Sequence, residues 1–262
     1  MATSASGSLL VRHEFLLRRL HSLSGLVPVG AYMVVHLITN SLTMMGVEPF
    51  QNAVYQIHAL GPALPIVEWG FIFGPILFHA IFGVVIIMGG RSNVSHYGYA
   101  ANWRYVMQRI TGMIALLFIF AHVFHLHGWF HFDLWLEKVA KPLGGARFSP
   151  YNASSTLAAA MQSSFVVPLF YAIGVLSCVF HLANGIWTMG ITWGVWVNPP
   201  AQRRAGFACL GLGVALAGVS MISLAGPLTI DADEAMKREN EMYEMRVEEG
   251  SVMPNEHKRA GH

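Results

Sequence analysis

The chain has 262 residues, of which 54% are apolar and only 11% charged, with a formal net charge of +2. A soluble domain carries about 25% charged residues, and here nine of the 14 acidic residues follow residue 230, so the first 230 positions could not cover a water-facing surface. Composition excludes a soluble enzyme, gives no reason to expect nucleic acid as a partner, and predicts an integral membrane protein whose solvent is the lipid bilayer.

A helix crossing ~30 Å of hydrocarbon needs about 20 mostly apolar residues. Five segments qualify, at about 20–41, 66–89, 105–127, 165–190 and 206–226, so the predicted fold is all-α with five transmembrane helices. Residues 1–19 have no uninterrupted apolar core before Arg18 and Arg19, which argues against a cleavable signal. The first span holds His21 at its inner edge, then Pro28, expected to bend it by removing a backbone donor, then His36 and Asn40. His58 lies in the following connection, and Gly61-Pro62 and Pro65 punctuate the entry to the second span, which carries Glu68 at its start and His79 inside. The third span begins beside Gln108 and Arg109 and ends with His122, His125 and His127. A long connection, 128–164, contains the turn Pro142-Leu143-Gly144-Gly145, and the fourth span carries His181. Pro199-Pro200 precede the fifth span, which is built of Gly, Ala, Ser, Leu and Val. Gly70/Gly74 and Gly190/Gly194 have the spacing of close helix–helix contacts. Trp193 and Trp196 read as interfacial anchors. Cys178 and Cys209 sit in apolar runs as small hydrophobes.

Lys and Arg give the orientation. Arg12, Arg18 and Arg19, then Arg91 and Arg104 with Arg109, then Arg203 and Arg204 fall on one side, whereas 42–65 has none. The amino terminus is therefore expected in the cytoplasm and the carboxyl terminus outside. Residues 1–230 are expected to form the transmembrane unit and 231–262 a charged extracytoplasmic tail, whose nine acids and five bases read as a solvated helix or a disordered segment.

An ionisable residue inside a span is a functional-site candidate by default, because lipid penalises it. Four spans carry one interior histidine each, His36, His79, His122 and His181, and the fifth has none. This predicts a four-helix bundle with one peripheral helix. At 1.5 Å per residue, His36 lies about 26 Å from Arg19 and His122 about 27 Å from Arg104. His79 lies about 18 Å from Arg91, and His181 about 18 Å from Trp193. Successive spans run in opposite directions, so the four form an outer pair, His36 and His122, and an inner pair, His79 and His181. Two imidazoles at equal depth on facing helices suit a low-spin haem, one on each face of the iron. Two pairs predict two haems b. A single such histidine is as often a helix-to-helix hydrogen bond, and a proton relay is a further reading, but two depth-matched pairs favour the haems. His125 lies one turn beyond His122 on much the same face, and spacing leaves both open.

The stretches "FLLRRLHSLSGLVPVGAYMVVHLITNS", "ILFHAIFGV", "NWRYVMQRITG…LLFIFAHVF" and "VLSCVFHLANGIWTMGITWGV" resemble the succinate dehydrogenase cytochrome b558 family. The likeness is to its di-haem, single-polypeptide kind, related to the fumarate reductase anchor, and it covers roughly residues 12–226. It implies His36, His79, His122 and His181 as axial ligands, prefers His122 to His125, and pairs the first span with the third and the second with the fourth. It also implies a bacterial cytoplasmic membrane, with a flavoprotein and an iron–sulfur subunit docked on the cytoplasmic face. Electrons would then pass by the inner and outer haems to a quinone, menaquinone being expected. The long 128–164 connection and the tail beyond 230 depart from the pattern.

Haem propionates need positive or hydrogen-bonding partners at the inner mouth of the bundle. Arg19, His21 and Ser22 in "RRLHS" are candidates, with Gln108 and Arg109 on the third span. A quinone needs a donor or proton source beside an apolar slot; His58 and Glu68 could supply it, and Asn40 could hydrogen-bond. Catalysis on succinate itself is not expected, since the chain has no dinucleotide fingerprint and no Cys₄ cluster set. Alternatives are the anchor of a fumarate reductase, of a hydrogenase or of a formate dehydrogenase, a histidine-relay proton-coupled transporter, and a haemless scaffold. Transporters tend to have repeats and paired broken helices, which the sequence does not display.

Overall fold

The computed structural model describes residues 13–261. Arg12 and His262 lie outside the described residues. Among these, five helices are long and apolar enough to cross a membrane: α1 (Glu14–Met45), α3 (Gly61–Met88), α4 (Ala100–His127), α6 (Val166–Thr192) and α7 (Pro199–Thr229). Three shorter helices complete the main elements: α2 (Val47–His58), α5 (Ala153–Gln162) and α8 (Ala232–Glu248). Large apolar side chains point out along the spans, with Ile81 and Leu117 each 66% exposed and Val214 65%. In water that surface would be an aggregation hazard, whereas in lipid it is the natural outer coat. The protein is a multi-pass membrane protein.

The five spans match those expected, with longer ends. α1 starts at Glu14 instead of about residue 20, since its first turns are amphipathic and carry an exposed Glu14–Arg18 pair at 2.8 Å, worth at most about 1 kcal/mol. α7 starts at Pro199 and not at about 206. Pro199-Pro200 open the helix instead of merely preceding it, because a first turn has no partner for their missing N–H groups. The Asn198 side chain accepts from the Ala201 N–H at 2.9 Å and caps it.

Pro28 bends α1 as expected. Val27 leaves the helical region (φ −131°, ψ 117°), because the ring of a following proline crowds the α conformation. The helix resumes at Ala31. The bend presses Gly25 and the buried Gly30 against neighbouring spans, Gly25 on the His79 ring and Gly30 on Leu182. The expected contacts at Gly70/Gly74 and Gly190/Gly194 are corrected. Gly70 and Gly74 face no other helix; Gly190 makes room for the Trp196 ring, and Gly194 sits at φ +72° in the turn that ends α6.

α1, α3, α4 and α6 form a square. α1 packs on α3 and on α6, and α4 packs on α3 and on α6, so α1 faces α4 and α3 faces α6 across the diagonals. α7 lies outside the square against α1 and α6. Leu37, Val179 and Leu216 form their shared core, and Ser223 Oγ donates to the Leu37 carbonyl at 2.7 Å.

At one end α2, α5 and α8 gather into a cap; the other end carries Arg18, Arg19, Arg91, Arg104, Arg109, Arg203 and Arg204 and is the basic end. Of the two readings of the tail, a solvated helix or a disordered segment, the structure has the helix but corrects its solvation. α8 is a helix with Ala235, Glu239, Met242 and Tyr243 buried against α5 and α2. Sequence polarity hid this because the buried face mixes Ala235, Met242 and Tyr243 with the carboxylate of Glu239. Glu239, 0% exposed, accepts from Ser154 N–H and Ser155 Oγ, both at 2.5 Å, and from Ser155 N–H at 3.3 Å. Those N–H groups belong to the first turn of α5, which has no helical acceptors for them. Arg238 pairs with Glu48, and Arg246 donates to Asn52 at 2.8 Å. Glu239→Ala would leave buried donors unpaired, at about 1–3 kcal/mol. Hydrogen exchange of the α8 amides should therefore speed up by about tenfold or more; unchanged exchange would contradict this clamp.

Candidate functional site

The two bundle diagonals carry the four span histidines. His79 of α3 and His181 of α6 have ring centroids 6.0 Å apart with planes at 84°, and His36 of α1 and His122 of α4 are 5.9 Å apart with planes at 78°. The structure thus brings together the same partners that depth along the spans pairs. Two imidazoles bound to opposite sides of one metal, each through a metal–nitrogen bond of about 2 Å, have centroids about 6 Å apart. Both pairs fit that spacing. Among the described residues no three His, Cys, Asp or Glu converge on a point. A two-nitrogen site suits a metal whose remaining positions come from a macrocycle and not from the protein.

The inner pair is oriented by backbone. His79 Nδ1 donates to the His21 carbonyl at 2.9 Å and His181 Nδ1 to the Gln108 carbonyl at 3.0 Å. A ring that donates through Nδ1 keeps the Nε2 lone pair for a metal. Each ring lies against a glycine of a neighbouring span, Gly25 for His79 and Gly112 for His181, where an added methyl would collide with the imidazole. His21 stacks on His79 at 4.1 Å and 8°, and its Nδ1 is buried without a partner. Gln108 Nε2 donates to the His181 carbonyl at 3.0 Å, Asn184 Nδ2 to Gln108 Oε1 at 2.7 Å, and Arg104 Nε to Asn184 Oδ1 at 2.7 Å. A hydrogen-bonded chain therefore runs from the inner histidine towards the basic end.

The outer pair is set in aromatic rings. Tyr32 stacks on His36 at 5.5 Å and Phe118 on His122 at 5.6 Å. The Tyr171 hydroxyl lies 2.8 Å from His125 Nδ1 and 3.3 Å from His122 Nδ1. His125 is turned to Tyr171, leaving His122 opposite His36.

Of the five propionate candidates, His21 and Gln108 touch the inner pair. Arg19 lies over the Phe15 and Trp193 rings, Ser22 accepts from Trp193 Nε1 at 3.0 Å, and Arg109 donates to the Ile86 carbonyl at 3.0 Å; these three stand at the basic end. Arg104 and Asn184 were missed as site residues. Their signal was present, since Arg104 precedes Gln108 by four residues and Asn184 follows His181 by three, placing each on its partner's face. Tyr171 gave no comparable signal, because its role depends on how α6 meets α4.

The quinone candidates divide. Asn40 Nδ2 donates to the His36 carbonyl at 2.8 Å within α1. His58 and Glu68 lie towards the cap end, each within electrostatic reach of Lys258 and His131, and the His127 and His131 rings are 4.2 Å apart. Lys258 Nζ donates to His58 Nδ1 at 3.3 Å. Burial, then the Lys258 charge and the nearby His127 and His131, hold His58 down at about 4, so its ring is neutral at neutral pH. Burial also lowers Lys258, with Glu68 opposing that shift.

No family model matches the sequence. The chain is 36% identical over 208 residues to the Bacillus subtilis (strain 168) protein named succinate dehydrogenase cytochrome b558 subunit, a match covering 79% of this chain and 94% of that protein.

Because His58 is depressed from 6.5 to about 4 in the folded protein, the unfolded state binds its proton first as pH falls. The stability it contributes is whole above about pH 6.5 and is lost as pH falls towards 4. Hydrogen exchange of residues 255–261, corrected for the intrinsic pH dependence of amide exchange, should accelerate across that window, and His58→Gln should flatten the change. Equal pH profiles for both proteins would contradict it.

Proposed function

The chain belongs to the succinate dehydrogenase cytochrome b558 family, and from that premise we propose that it anchors a succinate:quinone oxidoreductase in the membrane and carries its electrons to quinone. Two haems b, one held by His79 and His181 and one by His36 and His122, would supply one-electron transfer across the bilayer from an iron–sulfur subunit to quinone, menaquinone being the expected one. The observation that carries this reading is the pair of imidazole couples, each about 6 Å between ring centroids, on the two diagonals of one bundle.

The chain's own residues ligate, orient and insulate. Carbonyls of His21 and Gln108 fix the tautomers of the inner histidines, and the Tyr171 hydroxyl sits beside the outer one. Such hydrogen bonds raise ligand basicity and so tune the potential of a bound metal. His21, Gln108 and Arg104 are the groups best placed to meet propionates, with Arg19, Ser22 and Arg109 at the rim. The basic end is the docking face for the iron–sulfur and flavoprotein subunits, and it faces the cytoplasm by the distribution of Lys and Arg.

Quinone is read at the cap end, where His58 and Glu68 can hold and move protons. α6 and α7 contain no Asp or Glu, so the sequence offers no carboxylate relay from the cap end through these spans to the basic end. Protons are therefore exchanged at the outer surface while electrons arrive from the inner one.

Two measurements test this. A reduced-minus-oxidised spectrum of the purified complex should have b-type bands with two haems per chain, falling to about one in His36→Ala, His79→Ala, His122→Ala or His181→Ala. Unchanged haem content in all four variants would remove the assignment. In sealed vesicles, succinate oxidation by quinone should alter a dye-reported membrane potential; an electroneutral reaction would refute outer-side proton exchange.

A further inference from the structure

The tail brings a cation to the cluster at the cap end. Beyond α8 the chain folds back so that the Lys258 carbonyl accepts from the Tyr151 N–H at 2.9 Å and the Ala260 N–H donates to Asn152 Oδ1 at 3.0 Å. These bonds, with the Glu239 clamp, Arg246–Asn52 and Arg259–Asn240, dock the segment through atoms other than the Lys258 ammonium. That ammonium is half-buried, meets the Tyr151 ring face at 5.5 Å and donates to a neutral imidazole, His58 Nδ1. It lies within electrostatic reach of Glu68, but the two form no ion pair among the described residues. A partly desolvated ammonium on a neutral partner is a costly anchor. It also has three N–H donors, and the His58 contact uses one.

The cluster adjoins the outer histidine pair by two routes. Tyr32, stacked on His36, is within reach of the Glu68 charge, and His127, five residues after His122, is within reach of both His122 and His58. Phe73 packs on His127 at 5.6 Å and Trp69 on Phe73 at 5.4 Å, giving aromatic walls beside these polar groups. Apolar walls with a few convergent donors are what a flat aromatic dione requires.

We propose that Lys258 is a quinone-binding residue, its ammonium donating a hydrogen bond to a quinone carbonyl between His58 and Glu68, so that the carboxyl-terminal tail completes the outer site. Lys258 keeps its proton throughout; it positions the carbonyl and favours the negative charge that the ring oxygens acquire on reduction. This rests on the reading that quinone is reduced at the cap end.

The test uses the assembled complex in membranes with a short-chain naphthoquinone as acceptor. Lys258→Met should raise the quinone KM by about tenfold, the loss of one charge-assisted hydrogen bond, with the succinate KM and the b-type spectrum unchanged. Lys258→Arg should recover most of that loss. Glu239→Ala serves as the undocked-tail comparison, read by hydrogen exchange of residues 255–261. If Lys258→Met leaves the quinone KM unchanged while His58→Ala or Glu68→Gln raises it, the tail proposal fails and the outer site stands. A Lys258→Met that frees the tail as fully as Glu239→Ala, with the same change in KM, makes Lys258 an anchor and overturns the proposal. An unchanged quinone KM in all three cluster variants overturns the outer site and the proposal together.

Discussion

The arrangement depends on holding pairs of imidazoles opposite each other across a helix bundle, inside a solvent that offers them no hydrogen bonds. An unpaired polar group in hydrocarbon costs several kcal/mol, on the order of 2–7, so each ring must be satisfied from within. The inner histidines use backbone carbonyls of the adjacent spans α1 and α4, and the Tyr171 hydroxyl lies 3.3 Å from His122 Nδ1. Satisfying Nδ1 leaves Nε2 available as a ligand, so the bond that makes burial tolerable also selects the atom that can bind metal. The bundle supplies the rest. Only on the diagonals of a four-helix square do side chains meet across the centre, and both histidine pairs lie there.

Close approach of backbone to ring is the second requirement. Gly25 and Gly112 let neighbouring spans come up against His79 and His181, and the break at Val27–Pro28 lets α1 lean in at Gly25. At the cap end the same logic runs through polar groups. Glu239 replaces the helical acceptors that the first turn of α5 lacks, so a segment with a charged sequence becomes a fixed part of the structure. That fixation sets Lys258 beside His58.

The five spans were legible because lipid leaves few options for apolar runs of that length, and histidine pairing followed from counting residues from the charged rims. Helix ends were less legible: Pro199-Pro200 looked like a boundary and proved to be a first turn. The burial of the tail helix was not legible, because its short apolar face of Ala235, Met242 and Tyr243 has the carboxylate of Glu239 at its centre. Of the site residues, His21 and Gln108 were visible as polar groups at the inner mouth of the bundle, and Arg104 and Asn184 could have been found by their places one turn from Gln108 and His181. Tyr171 and Lys258 reach their histidines from elements distant in sequence, a relation that periodicity does not encode.

The central claim, two haems each between two imidazoles, is tested most directly by electron paramagnetic resonance of the fully oxidised protein. The account predicts two distinct low-spin ferric signals of the bis-imidazole type, both strongly anisotropic because the ring planes within each pair are nearly perpendicular. A single low-spin signal, or a high-spin signal from iron with one axial ligand, would contradict it.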